Sequence, residues 1–217
     1  MESGGATTMA DGEAHARDYN LERLIFLSDG VFAIAITLLA IELHPPEGWD
    51  GTVAGLLNGT YRQFIAFGIS FLFIAIYWAS HRRTYQRFKR ADGMLTALNF
   101  LVLALITLTP FFTSLIAERG PYGEPLLIYM GLVVAVGLAS ALQWGYAAFI
   151  GRDILATRMG FPLKLLIFLI LLIVPAAMAM MGIVASRPEY VWLYAVMLVL
   201  VAAVMWLRRI VGRRHEG

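Results

Sequence analysis

The side chains most able to do chemistry lie in one apolar stretch, Arg23-Leu24-Ile25-Phe26-Leu27-Ser28-Asp29-Gly30-Val31-Phe32-Ala33-Ile34-Ala35-Ile36-Thr37-Leu38-Leu39-Ala40-Ile41-Glu42. A carboxylate inside a segment fit to cross a bilayer is expensive unless it is paired, hydrogen-bonded or protonated, so Asp29 marks a site with a job. Two jobs fit: relaying protons or coupled ions together with His81, or accepting hydrogen bonds that fix the helix to its neighbours. Other chemistries are excluded by residue type and spacing. There is no cysteine, so thiol catalysis, disulfides and cysteine metal sites are out. The histidines His15, His44, His81 and His215 lack paired metal-ligand spacing, and neither a nucleophile elbow nor a phosphate-binding glycine loop is present. An enzyme is therefore not expected, nor a cofactor, nor a bound metal.

The elements that must position Asp29 are membrane helices. Of the 217 residues 59% are hydrophobic and only 15% charged, and the mean hydropathy is +0.72, outside the range of soluble domains. Apolar runs of about 20 residues, the length that crosses the hydrocarbon layer, number six, at 22–43, 63–82, 93–117, 125–149, 161–184 and 190–208. The fold class expected is all-α, with residues 21–210 as one six-helix transmembrane unit. Residues 1–20 read as a flexible cytoplasmic tail without the features of a secretory signal, and 211–217 as a basic cytoplasmic tail. Arg17, Arg23, the run Arg82 to Arg90, Arg152, Arg158, Lys164 and the four C-terminal arginines put 14 of 17 basic residues on one side. Cytoplasmic loops retain such residues, so both termini are expected in the cytoplasm of a multi-pass plasma-membrane (cell inner membrane) protein. Beside a membrane the Arg82–Arg90 run reads as this topology signal plus lipid-headgroup contact, with no nucleic-acid partner.

Six spans invite comparison with voltage-gated channels, but the fourth run has no basic residue from 126 to 149. The connector Ser186-Arg187-Pro188-Glu189-Tyr190 is too short for a re-entrant carbonyl filter. No two-halves repeat of the transporter kind is visible, so a central pore would need several copies of the chain. Gly137, Ala141 and Gly145 in the fourth run, with Gly131, Ala135 and Ala139 as a second series, let another helix approach closely. Pro175 lies well inside the fifth run and should kink it, for packing or as a hinge.

A helix wheel separates the parts of the first run. At about 100° per residue, Leu27, Gly30, Ile34, Leu38 and Ile41 fall within about 40° of Ile34, with Thr37 at about 60°. Asp29 is about 140° away and Ser28 about 120° on the other flank. The stripe is either ordinary packing or a functional face, and the polar pair turns away from it. Partners for Asp29 at similar depth are Trp78 and His81, three apart near the end of the second run, and Asn99 in the third, offering indole, imidazole and amide donors. Individually these read as packing or interface anchors. Together with Arg23, Ser28 and Asp29 they outline a polar network.

The run from Arg23 through Ser28-Asp29-Gly30 to Leu39 resembles the first-helix signature of the lysosomal potassium channel family known as transmembrane protein 175, in its prokaryotic six-helix form. Trp78-x-x-His81 with the arginines after it, Asn99, and Leu108-Thr109-Pro110-Phe111-Phe112-Thr113 resemble later landmarks of that family. One position departs: the family pattern reads Arg-x-x-x-Phe-Ser-Asp, and here Leu27 holds the Phe place with Phe26 one residue earlier. The resemblance implies a homotetramer in the lipid bilayer whose four first helices surround a passive pore with modest preference for potassium ions over sodium. It implies a constriction of Ile34, Leu38 and Ile41, with Thr37 as the nearby hydroxyl. The rival readings are a proton- or ion-coupled transporter using Asp29 and His81, and a membrane scaffold that passes nothing.

Overall fold

The computed structural model describes residues 4–120, 123–186 and 199. In chain order they form α1 (Gly4–Ile41), α2 (Val53–Tyr85), α3 (Gly93–Thr107), α4 (Thr109–Arg119), α5 (Glu124–Gly145), a π-helical turn (Tyr146–Ile150) and α6 (Phe161–Ser186). Five described segments are long and apolar enough to cross a membrane: Tyr19–Ile41, Val53–Tyr85, Gly93–Arg119, Glu124–Ile150 and Phe161–Val184. The expected sixth span, 190–208, apart from Val199, and the 211–217 tail lie outside the described residues.

The element limits have local causes. α1 starts at Gly4, upstream of the start near residue 20 marked by the apolar run, because no proline interrupts residues 4–19. α2 starts at Val53 rather than near 63, where Thr52 Oγ1 accepts from the Gly55 amide at 2.9 Å and satisfies one of the orphan donors of a first turn. Asp50 in turn accepts from the Thr52 amide and hydroxyl, and these bonds hold its carboxyl below the usual value. Asp92 caps α3 by accepting from the Leu95 amide at 2.8 Å. The third apolar run, expected as one helix, is broken: Leu108 closes α3 and opens α4, and Pro110 follows in the first turn of α4. Proline has no N–H to continue the ladder, so the chain restarts there as a new helix.

Apolar side chains lie both inside the bundle and on its outer surface, where lipid replaces water. The inward face of α1 places Phe32, Ala35 and Leu39 against Phe73 and Ile74 of α2, Val102 and Ile106 of α3, and Val133 of α5 in one buried cluster. α6 lies along α5 on the small-residue ridge. A methyl group added at Gly137 would overlap the Pro175 ring, and one at Gly145 would come within 3.0 Å of Phe168. The Pro175 ring is thereby seated against Gly137 of α5. At the basic end, the connectors after α2 and after the π turn pair with each other: the Lys89 amide donates to the Ile154 carbonyl and the Ala156 amide to the Arg87 carbonyl, each at 2.8 Å. Phe88 and Ile154 from this pairing are buried with Tyr85, Leu95 and Trp144.

Candidate functional site: the first helix and its anchors

The two faces of α1 are occupied differently. Leu24, Ser28, Phe32, Ala35 and Leu39 are buried, whereas Ile34, Leu38 and Ile41 are 58%, 38% and 64% exposed within the single chain. Leu27, Gly30 and Thr37 share the uncovered face. The Thr37 hydroxyl donates to the Ile34 carbonyl of its own helix at 2.9 Å, which leaves the lone pairs of its oxygen facing outward. Phe26 is 82% exposed and Leu27 41%, so the shifted aromatic points away from the packed core.

On the other side, α1 is tied by a chain of buried hydrogen bonds. Ser28 Oγ donates to the Leu24 carbonyl at 2.7 Å and accepts from Asn99 Nδ2 at 2.9 Å. Asn99 Oδ1 then faces His81 Nε2 at 2.8 Å and Gln143 Nε2 at 3.3 Å. Gln143 Nε2 also donates to the Tyr85 hydroxyl at 2.8 Å, and the His81 and Tyr85 rings stack at 4.3 Å. Because the Asn99 amide nitrogen is committed to Ser28, its oxygen must accept from His81, which assigns the proton to His81 Nε2. Four helices, α1, α2, α3 and α5, meet in this knot, whose Ser28 and Asn99 are fully enclosed.

Asp29 is satisfied separately. Its Oδ1 accepts from Trp78 Nε1 at 2.7 Å, and the Arg82 guanidinium lies over the same indole at 5.6 Å. Trp78 thus stands between a carboxylate at its N–H edge and a cation on its π face, both favourable to an indole. The structure therefore divides the six residues grouped from sequence. Ser28, Asn99 and His81 share one knot, Asp29 and Trp78 form a neighbouring pair, and Arg23 lies over the Tyr19 ring at 5.5 Å instead. Sequence reasoning missed Gln143 and Tyr85, although an amide inside an apolar run is itself a signal of a buried polar contact. It also missed a second cluster, where Thr113 Oγ1 donates to Ser70 Oγ at 2.7 Å and Ser70 lies 3.0 Å from the Tyr129 hydroxyl.

Comparison with known proteins places this helix in context. Residues 23–110 match the family described as endosomal/lysosomal potassium channel TMEM175. A potassium channel of Chamaesiphon minutus is 33% identical over 132 residues, 58% of this chain and 65% of that protein. A potassium channel of Streptomyces collinus is 34% identical over 128 residues, covering 56% and 62%. The human endosomal/lysosomal proton channel TMEM175 is 27% identical over 131 residues, 58% of this chain but 25% of its own length. In each case the match spans less than two thirds of the relative. The crystal structure of a lysosomal potassium-selective channel TMEM175 homolog from Chamaesiphon minutus superposes with a TM-score of 0.61 at 25% identity, covering 87% of this chain and 96% of that one. Residues 23–110 thus resemble the TMEM175 family, and the chain as a whole resembles the fold of a prokaryotic homolog of that family.

Proposed function

We propose that this chain is the subunit of a passive, potassium-permeable cation channel in which four copies surround a pathway lined by the uncovered face of α1. One observation carries the reading: the face of α1 bearing Ile34, Thr37, Leu38 and Ile41 is left uncovered by the described helices while the opposite face is locked in place. The names of the prokaryotic relatives support potassium as the permeant ion. Both termini sit in the cytoplasm of the cell membrane, as the distribution of basic residues argues.

In this reading selection needs no carbonyl cage. A ring of isoleucine and leucine side chains offers an ion nothing to replace lost hydration, so the more weakly hydrated potassium crosses at lower cost than sodium. Such a ring also dewets when it narrows, which closes the pathway without a charged gate. Asp29 and the Ser28–Asn99 knot hold the helix at the correct rotation and do not touch the ion.

Reconstitution into vesicles tests this. Currents should reverse at a potential that follows the potassium gradient, and Ile34→Asn should wet the constriction and reduce the preference for potassium over sodium. Flux that requires a second gradient would instead make the protein a coupled transporter. A wild-type selectivity in Ile34→Asn would move the constriction off α1.

A further inference from the structure

The uncovered stripe of α1 has a charged end. Arg23 precedes Ile34 by eleven residues, about three turns of helix, and at about 100° per residue it falls within about 20° of the Ile34 direction. The structure puts them on one surface, because Arg23, Leu27, Gly30 and Ile34 line a single open cavity of about 1020 Å3 whose other wall is the start of α3 at Gly93 and Thr96. The guanidinium therefore stands on the same face as the proposed constriction.

Its charge is unpaired. Arg23 is exposed and rests on the Tyr19 ring at 5.5 Å, one turn back, and among the described residues it makes no ion pair. Three carboxylates lie near this depth, each occupied or turned elsewhere. Glu22 is about 100° round the helix from Arg23, Asp29 accepts from Trp78, and Asp92, on the α3 wall, accepts from the Leu95 amide and the Tyr146 hydroxyl. The end as a whole is positive: residues 22–29, 82–92 and 152–164 carry nine basic residues against four acids. The opposite end is the reverse, with two basic residues against five acids over 42–62 and 118–124, segments that meet where Tyr61 and Arg62 share a small cavity with Arg119 and Gly120.

We propose, resting on the four-copy channel reading, that Arg23 makes conduction asymmetric: four guanidiniums ring the basic mouth, so cations enter more readily from the acidic end and inward current exceeds outward current. A ring of like charge between low-dielectric walls lowers the local concentration of cations, just as a cleft of opposite charge raises it. The acids of the other mouth act in the same direction. Arg23 is the only basic residue of α1 from Tyr19 onward, so it alone carries this charge on the helix that lines the pathway.

Single-channel recording from excised patches holding the full-length protein tests this. In symmetric potassium chloride at about 0.1 M, where charges act over about 10 Å, inward current should exceed outward current at equal and opposite voltages by at least about twofold, a modest effect beside the tenfold changes that charged clefts produce. At about 1 M, where that range falls to about 3 Å, the two currents should converge. Arg23→Gln should bring the ratio near one, and Arg23→Lys should keep it, which separates a lost charge from a lost shape. Because the chain has no native cysteine, Arg23→Cys can also be treated in membranes with a methanethiosulfonate reagent and the adduct read by mass. Labelling is expected; its failure would put residue 23 in a closed contact between subunits. That failure, an unchanged ratio in Arg23→Gln, or a ratio lost equally in Arg23→Lys overturns the inference while leaving a channel whose currents follow the potassium gradient. A parent protein that passes no potassium current overturns the channel reading with it.

Discussion

The molecule holds two buried polar clusters built on different principles. The one at the basic end joins an amide, an imidazole, a hydroxyl and a phenol from α1, α2, α3 and α5 through Asn99 and Gln143. The other, some three turns along α2, is made only of the hydroxyls of Ser70, Thr113 and Tyr129, and joins α2, α4 and α5 without α1. α1 is therefore pinned at one end by hydrogen bonds. From Val31 to Ile41 no side chain of α1 hydrogen-bonds another helix among the described residues, and apolar packing of Phe32, Ala35 and Leu39 holds it. An apolar contact tolerates small rotations that a hydrogen bond to Asn99 does not, so the half of the helix proposed to constrict is also the half freer to shift.

The strongest way to break this contrast is Asn99→Leu. It leaves the Ser28 acceptor and the donors of His81 and Gln143 facing an aliphatic side chain in a dry interior, at about 1–3 kcal/mol for each unmade bond. Thermal unfolding in detergent should fall markedly, with loss of assembled protein. The corresponding change in the hydroxyl cluster, Thr113→Val, removes a hydroxyl that lies 2.7 Å from both Ser70 Oγ and the Thr109 carbonyl, of which Ser70 keeps the Tyr129 hydroxyl as partner. It should cost about 0.6 kcal/mol, the usual value for a polar contact between membrane helices, and leave assembly intact. Equal losses from the two would mean that α1 is held no differently from its neighbours. The smallest effect belongs to Asp29→Asn, which keeps an oxygen for Trp78 Nε1 and should retain near-normal yield and flux, whereas Asp29→Ala strands the indole donor and should lower the yield. A strong defect in ion flux from Asp29→Asn, with normal assembly, would give the negative charge itself a role in transport.

Much of this was legible in the chain. The stripe through Ile34, Leu38 and Ile41 and the turning away of Ser28 follow from the period of the helix alone, and the span lengths follow from hydropathy. What was not legible depended on contacts distant in sequence. Gln143 reaches Tyr85 across 58 positions and Asn99 across 44, and no local pattern marks which polar residues of separate helices will meet. The break at Leu108 was hidden because apolar character continues through it, while the missing N–H of Pro110 acts only on the backbone. Arg23 was grouped with the network by its place in a motif, yet its side chain lies over Tyr19. Proximity in a signature is no measure of proximity in space.

The seating of Pro175 on Gly137 has an evolutionary meaning. An alanine at 137 would have no room while the proline ring stays where it is, and an α6 without the proline ring would leave a gap beside the glycine. As related sequences diverge, the two positions should be inherited as one character, glycine with proline or neither.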